Sequence, residues 1–222
     1  MKLELVNISK SYGKKNILSD ITLTAESGKC IGILGSNGCG KSTLFGILAG
    51  VTKSDSGSFL CDGENLLKNT NKRASTVGYV PQGTPLFEEL SAYDNLLLWY
   101  PAEKIKNELQ NGILGMLGID AFLKTPVCKM SGGMKKRLAI GCSVAHNPSV
   151  LLLDEPSAAL DLVCKERISN YLKSFKDKGG IILIATHDAQ EIEMCDEIFI
   201  IKNGKLQKYE YDGNIHRLVG RL

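Results

Sequence analysis

The sequence lacks any long apolar run. Its strongest, Ile181-Ile182-Leu183-Ile184-Ala185, is far shorter than the roughly 20 residues a membrane-crossing helix needs. A membrane-spanning role is therefore excluded, and any membrane process the chain serves must draw its spans from another polypeptide. The opening MKLELVNISK places Glu4 where a secretory leader needs apolar residues, so entry into the secretory route is not expected either. Paired cysteines are also lacking. Seven cysteines stand at positions 30, 39, 61, 128, 142, 164 and 195 with no Cys-x-x-Cys pair, which signals neither a disulfide framework nor a zinc site and fits a reducing cytosol. Charge of one sign is not in excess: 27 Lys and Arg against 24 Asp and Glu leave a net +3. The basic residues are dispersed, and no nucleic-acid partner is expected. The cluster Lys135-Lys136-Arg137 reads as a solvated helix face. Repeats, low-complexity tracts and long linkers are missing too.

What remains is an ordinary globular composition, 43% hydrophobic and 23% charged over 222 residues, enough for one substantial α/β domain. Short β-branched or leucine-rich runs alternate with helical patterns, the signature of a largely parallel sheet. Strands are expected near 30–34, 76–80, 150–154, 181–185 and 197–201. Segments 3–9, 20–26 and 57–62, joined through turns at Ser11-Tyr12-Gly13 and Ser56-Gly57, predict a small antiparallel sheet beside the main one. Residues 92–146 read mostly as helix. Within them, Pro101 suits a first helical position, and Ile105, Leu109, Ile113, Leu114 and Leu117 recur at helical spacing through 101–117. The expected division is a single domain, with 1–85 and 147–222 as the α/β core and 86–146 as an inserted helical subdomain.

The sharpest chemical signal is Gly35-Ser36-Asn37-Gly38-Cys39-Gly40-Lys41-Ser42-Thr43, lying between the apolar run 30–34 and the helical stretch 44–49. Its glycines let several backbone N–H groups face one anion at a helix amino terminus, which is a phosphate-binding P-loop. Lys41 should reach the β- and γ-phosphates of ATP and Ser42 should ligate Mg²⁺. A second acid-ended strand, Val150-Leu151-Leu152-Leu153-Asp154-Glu155-Pro156, should open beside it. Asp154 then helps hold Mg²⁺ through water, and Glu155 faces the attacking water as general base. His187 follows the run 181–186 directly and is placed to donate to the γ-phosphate.

Together these residues resemble the ABC ATPase family over nearly the whole chain. The diagnostic element is Met130-Ser131-Gly132-Gly133-Met134, similar to the family's LSGGQ signature and expected to open a helix over 135–146. The resemblance implies that Ser131, Gly132 and Gly133 meet a γ-phosphate. Tyr12 resembles the aromatic residue that stacks on adenine. Gln82, after Gly78-Tyr79-Val80-Pro81, resembles the loop glutamine that contacts Mg²⁺ and water. Ser157-Ala158-Ala159-Leu160-Asp161 resembles the loop that crosses to a partner subunit, and Thr186-His187-Asp188 the histidine switch. Met134 stands where the family usually has glutamine, Met130 where it has leucine, and Cys39 where alanine or serine is commoner. A methionine at 134 resembles variants of drug- and polysaccharide-export types and leans towards an exporter.

The family's arrangement implies two ATP molecules at the interface of a homodimer or heterodimer of ABC ATPase subunits. A separate transmembrane permease would hold the pair in the cytoplasm, at the inner face of the membrane. The groove beside Gln82, including Leu86, Phe87 and Tyr93, is the expected permease contact. Two other functions share parts of the pattern. A P-loop small-molecule kinase has no use for Ser131-Gly132-Gly133, and non-transport ABC proteins acting on DNA or the ribosome usually carry long insertions or two cassettes.

Overall fold

The computed structural model describes residues 1–158 and 160–221. Ala159, in the expected partner-crossing loop, lies outside them. The chain begins as a hairpin, β1 (Lys2–Tyr12) and β2 (Lys15–Glu26), whose inward positions are buried and outward ones exposed. Next come β3 (Cys30–Leu34), α1 (Lys41–Ala49), β4 (Ser56–Cys61), the two-residue β5 (Glu64–Asn65), α2 (Thr70–Thr76) and β6 (Val77–Val80). The middle of the chain is helical, with α3 (Ala92–Leu97), α4 (Ala102–Asn111), α5 (Ile113–Met116) and α6 (Gly132–Ser143). Strand β7 (Val150–Asp154), α7 (Leu162–Asp177), β8 (Ile181–Ala185), α8 (Ala189–Met194), β9 (Glu197–Lys202), β10 (Lys205–Tyr209) and α9 (Ile215–Val219) complete it.

Two sheets result. One has the order β2-β1-β4-β5 and is antiparallel throughout; the other has the order β10-β9-β3-β8-β7-β6 and is parallel except for β10. Every residue of β3, β7 and β8 is buried, because a parallel sheet is covered on both faces and its strands must be apolar on both. Successive residues of β7 and β8 serve opposite cores. Val150, Leu152, Ile181 and Leu183 pack with Phe45 and Phe59 towards α1 and the antiparallel sheet. Leu151, Leu153, Ile182 and Ile184 pack with Leu96, Leu138 and Ile168 towards the helices.

Some boundaries differ from the sequence pattern. The helix expected over 101–117 is broken at Gly112 (φ −120°, ψ −159°). There the Glu108 carboxylate reaches past it to accept from the Ile113 N–H at 3.1 Å, giving α5 its own amino-terminal cap. Pro101 is the residue before α4 rather than its first turn, with extended ψ of 144°. Helix α6 starts at Gly132 instead of 135, because Ser131 caps it by accepting from the Met134 N–H at 3.3 Å. Strand β10 was not expected. Its turn, Asn203-Gly204, has both φ angles positive (51° and 74°), the turn geometry that suits a two-residue hairpin.

Candidate functional site

Register decides what the site contains. Ile33 of β3 and Asp154 of β7 both pair with Ala185 of β8, and Val80 of β6 pairs with Leu153. The carboxyl ends of four strands therefore open on one edge. The segments leaving them carry Gly35 to Thr43, Gln82, Glu155 and His187. Gly35 has φ of 149°, and a Cβ there would stand 2.6 Å from both Cys39 Sγ and the Ile201 carbonyl. Only glycine fits that turn. The loop then runs directly into α1, whose free N–H groups and dipole favour an anion.

Lys41 is buried, and its ammonium donates to the Gly35 carbonyl at 2.7 Å and the Ser36 carbonyl at 3.3 Å. It is folded back over its own loop, so meeting a phosphate exchanges carbonyl oxygens for anionic ones. Ser42 faces Asp154. Burial pushes the Asp154 carboxyl above its ordinary value, while the Ser42 hydroxyl, Lys41 and Lys136 oppose that shift. Glu155 adopts left-handed backbone (φ 50°) and donates its N–H to the Ala185 carbonyl at 2.8 Å. For a residue with a Cβ this conformation costs roughly 1–2 kcal/mol, and it turns the side chain out of the strand line. Gln82 Nε2 donates to Glu155 Oε2 at 2.9 Å, and His187 Nε2 lies 3.7 Å from Glu155 Oε1. Lys41, Ser42, Thr43, Gln82, Glu155 and His187 line one cavity of about 450 Å³. A water held by the Glu155 carboxylate would face an anion held by the loop.

Other expected site residues stand apart. Ser131 and Gly132 are exposed and Gly133 is buried at the start of α6; none of the three lines that cavity. Asp161 is exposed and caps α7, accepting from the Cys164 N–H at 2.8 Å. Tyr12 is exposed at the end of β1 with the Lys10 ammonium 5.2 Å from its ring centre, while Ile17, not Tyr12, lines the cavity. Cys39 is half-buried against the apolar core beneath the loop. Of the expected groove residues, Phe87 is exposed, whereas Leu86 and Tyr93 pack onto the helical core.

The basic cluster is a correction. Lys136 is only 5% exposed and donates to the Pro81 and Gln82 carbonyls at 3.1 and 3.0 Å. Arg137 donates to the Leu117 carbonyl at 2.8 Å and stacks over Phe122. Lys135 pairs with Glu88 at 2.9 Å. Helix α6 is wrapped on nearly all sides, so consecutive basic residues reach acceptors on different segments instead of water.

Residues 18–158 match the sequence profile of the ABC transporter family. The chain belongs to that family. The lantibiotic transport ATP-binding protein SrtF of Streptococcus pyogenes is 34% identical over 214 residues, covering 96% of this chain and 92% of that one. The linearmycin resistance ATP-binding protein LnrL of Bacillus subtilis is 33% identical, covering 92% and 67%. A dimeric post-hydrolysis state of the ATP-binding cassette MJ0796, bound to ADP and Pi, matches with a TM-score of 0.83 at 26% identity, covering 94% of this chain and 99% of that one. This ABC protein is an ATP-binding and ATP-hydrolysing transporter subunit, and its fold is that of the ABC ATPase cassettes. Among its described residues no helix is long and apolar enough to cross a membrane. Sequence reasoning missed Lys136 in this cassette. The available signal was its place one turn into a helix that opens on a glycine pair, where a close-packed neighbour is expected.

Proposed function

We propose that the chain hydrolyses Mg²⁺-ATP at a site completed by a second cassette, and that the cycle drives an exporter. The observation that carries this is the separation just described. The phosphate loop, Gln82, Glu155 and His187 converge on one cavity, while Ser131 and Gly132 form an exposed helix tip outside it. That tip supplies a hydroxyl and N–H groups suited to a γ-phosphate, and another subunit's phosphate is the anion it can meet. The mate is a second copy or a related ABC ATPase subunit.

In this reading Lys41 and the loop amides hold the phosphates, Glu155 accepts the proton of the attacking water, and Gln82 and His187 orient that water and the γ-phosphate. Tyr12 stacks on adenine, and Asp161 contacts the mate. Ser42, Asp154 and Gln82 present a hydroxyl, a carboxylate and an amide, all oxygen donors that fit Mg²⁺, which binds with few protein ligands and completes its shell from phosphate and water. The ion would neutralise phosphate charge at the loop. Segment 86–146 acts as the helical subdomain and offers Phe87 to a transmembrane permease, which holds the cassette at the cytoplasmic face. Export is supported by Met134 and by the transport and resistance roles named for SrtF and LnrL.

Glu155→Gln should bind ATP and accumulate as a closed dimer with hydrolysis slowed at least about 100-fold; wild-type turnover would remove Glu155 as the base. Lys41→Ala and Ser131→Arg chains mixed together should form one intact composite site and regain part of the activity. A mixture as inactive as either parent, with dimerisation demonstrated, refutes the shared site. Co-purification from solubilised membranes identifies the permease, and transport into or out of vesicles fixes direction.

A further inference from the structure

Behind His187 lies a buried polar cluster that the site above does not use. Thr186, Ser157 and Glu191 are 1%, 3% and 8% exposed. The Thr186 hydroxyl donates to Glu191 Oε2 and accepts from the Asp188 N–H at 2.9 Å. Asp188 in turn caps α8 through the Gln190 N–H at 3.0 Å and pairs with Lys165 at 2.5 Å. The remaining Glu191 oxygen, Oε1, and the Ser157 hydroxyl have no hydrogen-bond partner among the described residues. They are nonetheless neighbours, since Ser157 and Glu191 line the same small space. The space beside them is about 10 Å³, at the lower limit for holding even one water.

A buried, half-satisfied carboxyl is a poor way to stabilise a fold, because an apolar side chain of similar size avoids the desolvation. Its position gives it another use. Ser157 lies two residues beyond Glu155, and Thr186 immediately precedes His187. The two loops leave adjacent strands that end level, with Asp154 paired to Ala185. Glu191 is therefore a buried side chain that touches the hydroxyl of one loop and lies beside the hydroxyl of the other. The separation it spans from behind is the one between Glu155 and His187 in front.

We propose that Glu191 is a positioning residue for ATP hydrolysis: it ties the loop after β7 to the loop after β8 and so holds His187 in register with Glu155. The inference rests on the roles proposed above for those two residues. Glu191 itself touches no substrate and acts through Thr186. Removing it should leave nucleotide affinity intact and lower turnover, because the loop that binds phosphate lies on the other side of β8.

The test is a double-mutant cycle on the full chain, with kcat, KM for ATP and melting temperature measured for each protein. Glu191→Ala is expected to lower kcat about tenfold with KM within twofold of wild type. Glu191→Gln keeps an acceptor for Thr186 and adds a donor for Ser157, and should restore at least half of the lost rate. His187→Ala combined with Glu191→Ala should be no slower than His187→Ala alone, within twofold, because the second change acts through the first. If Glu191→Ala does not fold, Thr186→Val removes the same hydrogen bond at constant volume and takes its place under the same criteria. Wild-type kcat in Glu191→Ala, a fall in melting temperature without a fall in kcat, or losses that multiply in the double variant overturn the proposal. In the last case a slowed His187→Ala protein leaves the reading of His187 standing. A His187→Ala protein with wild-type kcat removes that reading and this inference together.

Discussion

Lys136 and Lys135 are adjacent in sequence and should behave oppositely when each is changed to methionine. Lys136 is 5% exposed, and its ammonium makes two charge-assisted hydrogen bonds, to the carbonyls of Pro81 and Gln82. Two such bonds are worth roughly 3–6 kcal/mol, at about 1.5–3 each. Methionine keeps most of the volume and spares the extra cost of holding an ammonium out of water, which offsets part of that loss. Burial lowers the lysine's pKa, and Asp154, Glu155 and Glu191 offset only part of that shift, so the net value stays lowered. The difference leaves a net loss of about 1–2 kcal/mol for Lys136→Met. The same change frees the segment that carries Gln82, whose amide sits 2.9 Å from Glu155. Weakening that bond by about 1–1.4 kcal/mol lowers kcat about five- to tenfold. Lys135→Met breaks only the pair with the exposed Glu88 and should cost less than about 0.5 kcal/mol with kcat unchanged. Urea unfolding followed by circular dichroism, with steady-state ATPase rates on the same preparations, reads both effects. Equal behaviour of the two variants, or wild-type stability and kcat for Lys136→Met, refutes the reasoning.

Gly132 is the first residue of α6, and a Cβ there meets nothing within 4 Å. Gly132→Ala should therefore hold or raise stability, by up to about 1 kcal/mol, yet lower ATPase activity at least tenfold by blocking a partner's phosphate; retained activity would show that no anion approaches that tip closely. Asp196 accepts from the Cys30 N–H at 2.7 Å and from Lys176 at 3.0 Å. Burial raises its pKa, but these contacts outweigh burial and the net value is lowered. A depressed folded-state pKa stabilises the fold above the unfolded value of about 3.9 and ceases to as pH falls through the folded one. Asp196→Asn should thus lose about 1–2 kcal/mol at pH 7 and progressively less relative to wild type as pH falls below about 3.9, which urea titrations along an acid series would show or deny.

The sequence alone carried a good deal of this. Strands β3, β7 and β8 were legible as unbroken apolar runs, because a strand covered on both faces has no polar positions to obscure it. The phosphate loop was legible because its glycines, lysine and hydroxyls follow one another along a single turn. Strand β10 was not read, although Asn203-Gly204 marks its hairpin, because Lys205-Leu206-Gln207-Lys208-Tyr209 is a half-exposed edge strand and carries little apolar signal. The break at Gly112 escaped because the apolar spacing continues across it, and only the Glu108 carboxylate reveals the new helix start.

Sequence by itself determined which groups this ATPase owns, since residue type and local spacing fix what a loop can bind. Tertiary structure decided which of them meet. Parallel register brings Glu155, Gln82 and His187 to one edge from segments far apart in the chain, and places Ser131 outside it. Burial, too, is a property of the assembled layers: nothing in Lys135-Lys136-Arg137 says which ammonium faces water, because that depends on segments packed against α6 from elsewhere in the chain.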